Sequence, residues 1–167
     1  MRLACVLAIL CAMPVSAQYS VTPEGDLIHL TDGARRTTVT VLPAVGNMAI
    51  GMRVAGEEVL YFPSDLEAFR ARPSLSGIPF LGPWANRLEE AGFYANGKKY
   101  AFNMELGNIR GRIPIHGFLS YTPEWEVVEA GSDERSAWVR SRLEFYRQPD
   151  WMAQFPFAHT IEMTYRL

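Results

Sequence analysis

The dipeptide Asn96-Gly97 constrains the chain's fold more tightly than any other stretch. It stands between Phe93-Tyr94-Ala95 and the run 98–104, and Asn-Gly accepts the positive φ values that a two-residue hairpin turn requires. Antiparallel β structure follows at that point, and most of the chain reads the same way. Leu27-Ile28-His29-Leu30 is bounded by Gly25-Asp26 and Thr31-Asp32-Gly33, and residues 37–42 are rich in β-branched side chains before Pro43. Residues 49–54 and 59–62 predict two more strands joined at Gly56. Residues 125–130 and 137–145 alternate around a turn at 131–136. Trp125 and Val127, then Trp138, Leu143 and Phe145, are their apolar positions. Residues 160–167 alternate as a last strand.

Helix is confined to one place: Ser64-Asp65 ahead of 66–70 predicts a single capped turn that Pro73 ends. Residues 105–113, and 147–158 with Pro149 and Pro156, read as loops. Many short strands with Gly and Pro turns predict an all-β sandwich.

The opening residues are of another kind. Arg2, the apolar stretch 3–13 and Val15-Ser16-Ala17 before Gln18 have the layout of a secretory signal peptide, too short to remain as a membrane span. The expected division is 1–17 as signal and 18–167 as one β-sandwich domain, exported to the periplasm or the extracellular space. Leu10 before Cys11 argues against lipid attachment. Both cysteines, Cys5 and Cys11, leave with the signal, so no disulfide framework is expected. Removing Arg2 from the 16 basic residues leaves 15 against 18 acidic ones, a formal charge of −3. No basic patch favours nucleic acid or an anionic membrane surface. No metal-ligand spacing, phosphate-cradling glycine loop or nucleophile elbow is present, so neither metal nor cofactor is expected. Nothing in the pattern sets an oligomeric state.

Residues 77–118 hold the candidate chemistry. They begin GIPFLGPWANRL, end IPIHGF, and carry Asn86, Arg87 and His116 among Pro, Gly and aromatic residues. Pro79 and Pro83 forbid ordinary central-strand pairing, so this segment is expected on the surface or along a sheet edge. A few polar groups among rigid apolar neighbours suit a cleft for a small polar ligand. The plainer alternatives are that Arg87 pairs with Glu89 or Glu90 and that His116 only bonds the backbone of a turn. Trp84 and Phe80 could offer a ring face to sugar C–H groups or belong to the core. Arg70, Arg72, Arg110 and Arg112 are scattered as solvated loop residues are.

The order Asn86-Arg87, an Asn-Gly hairpin, then His116-Gly117 resembles the aldose 1-epimerase (mutarotase) family. So do VLPAVGNMAIGMRVAGEEVLYFP and FPFAHTIEMTYRL. The resemblance implies a galactose mutarotase-type β-sandwich and an isomerase that interconverts the α and β anomers of a free hexose. It also implies sugar binding by Arg87 and Asn86, with His116 as the first of two active-site histidines. A second His, the acid at the ring oxygen, and a Glu, the base at the anomeric hydroxyl, are implied further towards the C-terminus than residue 167. This chain is therefore expected to be the N-terminal portion of the fold and weakly active or inactive. Ile161, Met163 and Tyr165 are expected to lack covering strands. His159 lies upstream of the implied second His. Two other readings stand beside this one: a non-catalytic carbohydrate-binding β-sandwich, and a glucose-6-phosphate 1-epimerase-like enzyme, which export disfavours.

Overall fold

The computed structural model describes residues 17–167 except Phe62 and Asn108. The signal-peptide reading thus lies, Ala17 apart, outside the described residues. Five strands, β1 (Tyr19–Glu24), β2 (Leu27–Asp32), β3 (Thr37–Leu42), β4 (Met48–Val54) and β5 (Glu57–Glu58), form one antiparallel sheet in sequence order. Pro23 sits in β1, an edge strand, where its missing N–H costs no ladder bond. The expected strand at 59–62, of which Phe62 lies outside the described residues, is corrected: the strand ends at Glu58, and the bond from the Val59 N–H to the Met52 carbonyl at 2.8 Å is its last. The Glu58 carboxylate takes the Leu60 N–H at 3.2 Å, and Val59 and Tyr61 lie exposed with nothing over them to reward alternation.

After β5 comes α1 (Leu66–Ala71), the predicted capped turn. The Asp65 side chain accepts the Ala68 N–H at 2.9 Å, and Phe69 points inward. The Asn-Gly hairpin is β6 (Gly92–Ala95) and β7 (Lys98–Ala101), with Asn96 and Gly97 at φ 51° and 74°. Its second strand ends three residues earlier than expected. The segment read as loop at 105–113 holds a strand, β8 (Ile109–Arg110), which pairs with β9 (Ile113–Pro114). Gly111, at φ 67°, permits that reversal without a flanking apolar pattern to announce it.

A second antiparallel sheet follows: β10 (Glu126–Ser132), β11 (Ala137–Glu144) and β12 (Thr160–Arg166), in that order. Ala137, Val139, Leu143 and Phe145 turn inward, so Trp138 is on the outer face, under the Arg166 guanidinium at 5.4 Å. This corrects its grouping with Leu143: the period of two separates residues 138 and 143. The segment 147–158 is also not all loop. A 3-10 turn (Phe145–Arg147) leads into α2 (Pro149–Gln154), where Pro149 stands in the first turn, with Asp150 near its N-terminus and Trp151 buried. A proline in the first helical turn starts a helix as readily as it breaks a strand.

The two sheets pack face to face. Leu30, Val41 and Ala49 meet Ala137 and Val139, with Tyr19, Val21 and Tyr165 around them. A second cluster, Leu42, Val45, Met48, Ile50 and Phe69, lies beneath α1. The third, Leu119, Trp125, Leu143, Phe145 and Trp151, backs the 77–118 segment. Each large aliphatic or aromatic side chain so buried stabilises by about 1.5–3 kcal/mol. Buried Asn47 ties the sheets: its side-chain oxygen accepts from the Ser141 hydroxyl at 2.8 Å, and its carbonyl accepts from the Tyr165 hydroxyl at 3.0 Å. Tyr165 also accepts the Ala49 N–H at 3.3 Å, and burial raises its phenol pKa. Ile161 and Met163 pack on the third cluster, so these three side chains are half-buried rather than left bare.

Candidate functional site

The segment that carries Asn86 and Arg87 is not a strand. It is stitched to the segment that carries His116 by single bonds between residues 82–88 and 114–119. The Leu88 N–H donates to the Pro114 carbonyl at 3.2 Å, and Arg87 and Ile115 form an antiparallel bridge. The Phe118 and Leu119 N–H groups both reach the Gly82 carbonyl, at 2.9 and 3.1 Å. Gly117, at φ 61°, is required here: a Cβ on it would stand 1.8 Å from the Gly82 oxygen.

At the centre of this seam Asn86 and His116 hold each other twice. The Asn86 N–H donates to His116 Nδ1 at 3.0 Å, and the His116 N–H donates to the Asn86 carbonyl at 2.9 Å. Arg87 Nη1 donates to Asn86 Oδ1 at 3.3 Å. Ser120, buried beneath, donates its hydroxyl to the His116 carbonyl at 3.3 Å. Asn86 and His116 both have left-handed backbone, at φ 60° and 61°, outside any hairpin turn. Such strain costs on the order of 1–3 kcal/mol and collects at functional sites. The bond to Nδ1 also settles the tautomer: in the neutral ring Nδ1 accepts, so Nε2 carries the hydrogen and is a donor.

All three candidate residues therefore stand together. Asn86 and Arg87 are exposed and His116 half-buried. The adjoining hollow, about 10 Å³, is lined by Trp84, Phe102, Pro114, Gly117 and Phe118 among others, and not by the three themselves. Trp84 stacks on Phe102 at 4.5 Å and meets Phe118 edge-on, while Phe80 meets Trp125 edge-on at 5.5 Å; both rings are packed into the body of the protein. The surface-pair alternative for Arg87 is not what forms among the described residues: Arg87 pairs with neither Glu89 nor Glu90 but bonds Asn86, and Glu90 pairs with Lys99. His159 stacks on Phe145 at 4.3 Å, and His29 lies between Glu24 and Thr40 on the first sheet. Among the described residues neither histidine is bonded to the seam, and no three His, Cys, Asp or Glu side chains converge as a metal site. Arg70 is held by Asp26 and Glu67.

The sequence reading missed Ser120 and the Gly82–Gly117 approach. A glycine on each partner of the seam was the available signal.

Residues 26–167 match the aldose 1-epimerase family. The chain belongs to that family of isomerases. The galactose mutarotase-like protein of Clostridium acetobutylicum superposes with a TM-score of 0.71 at 22% identity, over 89% of this chain and 45% of that one. The Slr1438 protein of Synechocystis sp. PCC 6803 gives 0.66 at 28% identity, over 93% and 48%. Galactose 1-epimerase of Lactobacillus acidophilus gives 0.62 at 17% identity, over 89% and 42%. The epimerase-family chain thus spans less than half the length of these solved proteins. No curated protein matches it. The mutarotase-type, all-β fold expected from the sequence is the one observed.

Proposed function

We propose that Asn86, Arg87 and His116 form the sugar-anchoring part of an aldose 1-epimerase site for a free hexose. The observation that carries this is the double hold between Asn86 and His116, which fixes a histidine donor beside an arginine on strained backbone. Mutarotation removes a proton from the anomeric hydroxyl while another reaches the ring oxygen. The ring opens, the carbonyl rotates, and the ring closes on its other face. Arg87 spends one N–H on Asn86, leaving four to grip neighbouring sugar oxygens. His116 Nε2–H donates to a further oxygen and supplies at most one of the two proton transfers. Each positioned acid or base contributes about a hundred- to ten-thousand-fold. Among the described residues His116 bonds no carboxylate and no second histidine, so on this reading the chain alone binds the sugar and accelerates anomerisation only weakly.

Polarimetry of fresh α-D-galactose or α-D-glucose with the purified chain tests this. The expected trace is close to that of buffer. Strong acceleration abolished in His116→Ala would overturn the half-site reading. The exposure of Asn86 and Arg87 favours a second reading, recognition of carbohydrate without catalysis. Binding with no His116-dependent acceleration at all selects it. Export belongs to the same proposal: mass spectrometry of the secreted protein is expected to show a chain beginning at Gln18.

A further inference from the structure

The outer face of the first sheet carries a hollow of about 250 Å³ that shares no residue with the seam. It is lined by Leu27, His29, Thr38, Thr40, Arg53 and Glu58. Cross-strand register builds it: His29 faces Thr40, Thr38 faces Arg53, and Arg53 faces Glu58.

These side chains are occupied to different degrees. His29 is held on one ring nitrogen, Nδ1 by the Thr40 hydroxyl at 3.1 Å; its buried Nε2 lies 3.2 Å from the Glu24 carboxylate without forming a hydrogen bond. Glu58 Oε1 takes the N–H groups of Met52 and Leu60, at 2.7 and 3.2 Å. Among the described residues its other oxygen has no partner, and Arg53 opposite makes no ion pair. The Thr38 hydroxyl has only a long contact, 3.5 Å, to Thr31. The hollow therefore offers free donors on one side, a free acceptor on the other, a spare hydroxyl between them, and Leu27 as an apolar wall.

The balance of charge selects the ligand. An anion drawn to Arg53 meets Glu58, and a cation drawn to that carboxylate meets Arg53. A neutral polyol satisfies both sides, because each of its hydroxyls accepts from the guanidinium or donates to the carboxylate. At about 250 Å³ the hollow lies just under the roughly 300 Å³ at which small-molecule sites generally begin, so it has room for one sugar ring at most and not for a chain of several. We propose that the Arg53–Glu58 hollow is a binding site for one neutral sugar ring, separate from Asn86, Arg87 and His116. It retains or concentrates the sugar without acting on it, since no chemistry is positioned at the ligand.

The test uses the ¹⁵N-labelled chain titrated with methyl α-D-galactoside, whose locked anomeric carbon cannot be epimerised. The Thr38, Thr40 and Arg53 amides are expected to shift saturably. Arg53→Ala should weaken that response by about tenfold, the loss of a hydrogen bond from a charged donor, and leave the rest of the spectrum unchanged. Thr38→Val should weaken it less. Amides that stay still would overturn the proposal, as would equal shifts in wild type and Arg53→Ala. So would tighter binding of D-galacturonate than of the neutral glycoside, which would make the hollow an anion site. The readout stands apart from the seam: silence at Asn86 with saturable shifts at Thr38 counts against the epimerase site alone.

Discussion

The β1–β5 sheet and the seam between residues 82–88 and 114–119 are held together in opposite ways. In the sheet every strand pairs with its neighbour in sequence, through ladders broken only by a register shift between Thr40 and Val41, and through two buried clusters. In the seam, Asn86 and His116 are 30 residues apart, and single bonds replace a ladder. Each such bond contributes only about 0.5–1.5 kcal/mol net, so the seam opens locally before the sheet unfolds. Stability resides in the regular region, and the strained polar geometry is carried by the irregular one, which can hold it because the third cluster supports it from behind.

The largest effect expected from this contrast is at Leu30, fully buried between the sheets. Leu30→Ala should cost about 2–5 kcal/mol in chemical denaturation. If instead substitutions in the seam dominate global stability, the contrast fails. Gly117→Ala comes next. Its Cβ cannot stand 1.8 Å from the Gly82 oxygen, so the seam must part. Overpacking of this kind costs about 1–3 kcal/mol, and the Asn86 and His116 amides should lose their protection from hydrogen exchange while those of β3 keep theirs.

His116 separates backbone from chemistry. Asn, like His, is a residue type enriched in the left-handed conformation, so His116→Asn should keep the backbone, whereas His116→Ala places there a residue that adopts it less readily and should be the less stable of the two. Both should abolish sugar binding at the seam. Equal stabilities for the two variants would show that the strain is relieved elsewhere.

The smallest effect is electrostatic. The side-chain hydrogen bond from Arg70 holds Asp26 below the ordinary carboxylate value. The sheet-to-α1 tie is then fully present above about pH 4, near the unfolded value, and is lost as pH falls through the lowered folded value. Thermal stability should decline on acidification, and Asp26→Asn should flatten part of that decline. The pair is exposed enough that the change is modest.

The same contrast explains what could be read in advance. β3 and β12, the Asn96-Gly97 hairpin and the Asp65 cap follow from local residue types, because the interactions that fix them lie within a few positions. The strand at 59–62 was misjudged because it depends on what covers its faces, and Trp138 was grouped with Leu143 although the period of two puts 138 and 143 on opposite faces. α2 was hidden by Pro149, which marks a break and a helix start alike. Asn86, Arg87 and His116 were singled out by their order, and the structure brings these three candidates together. Their mutual geometry, the Nδ1 bond and the support from Ser120 could not be read in advance, since nothing local sets the pairing of 82–88 with 114–119.

The most direct test of the account follows the Asn86 amide and the His116 ring by NMR during a D-galactose titration. Saturable shifts at both, lost in Arg87→Ala with the fold intact, are predicted. Signals unmoved by the sugar, or moved equally without Arg87, would contradict it.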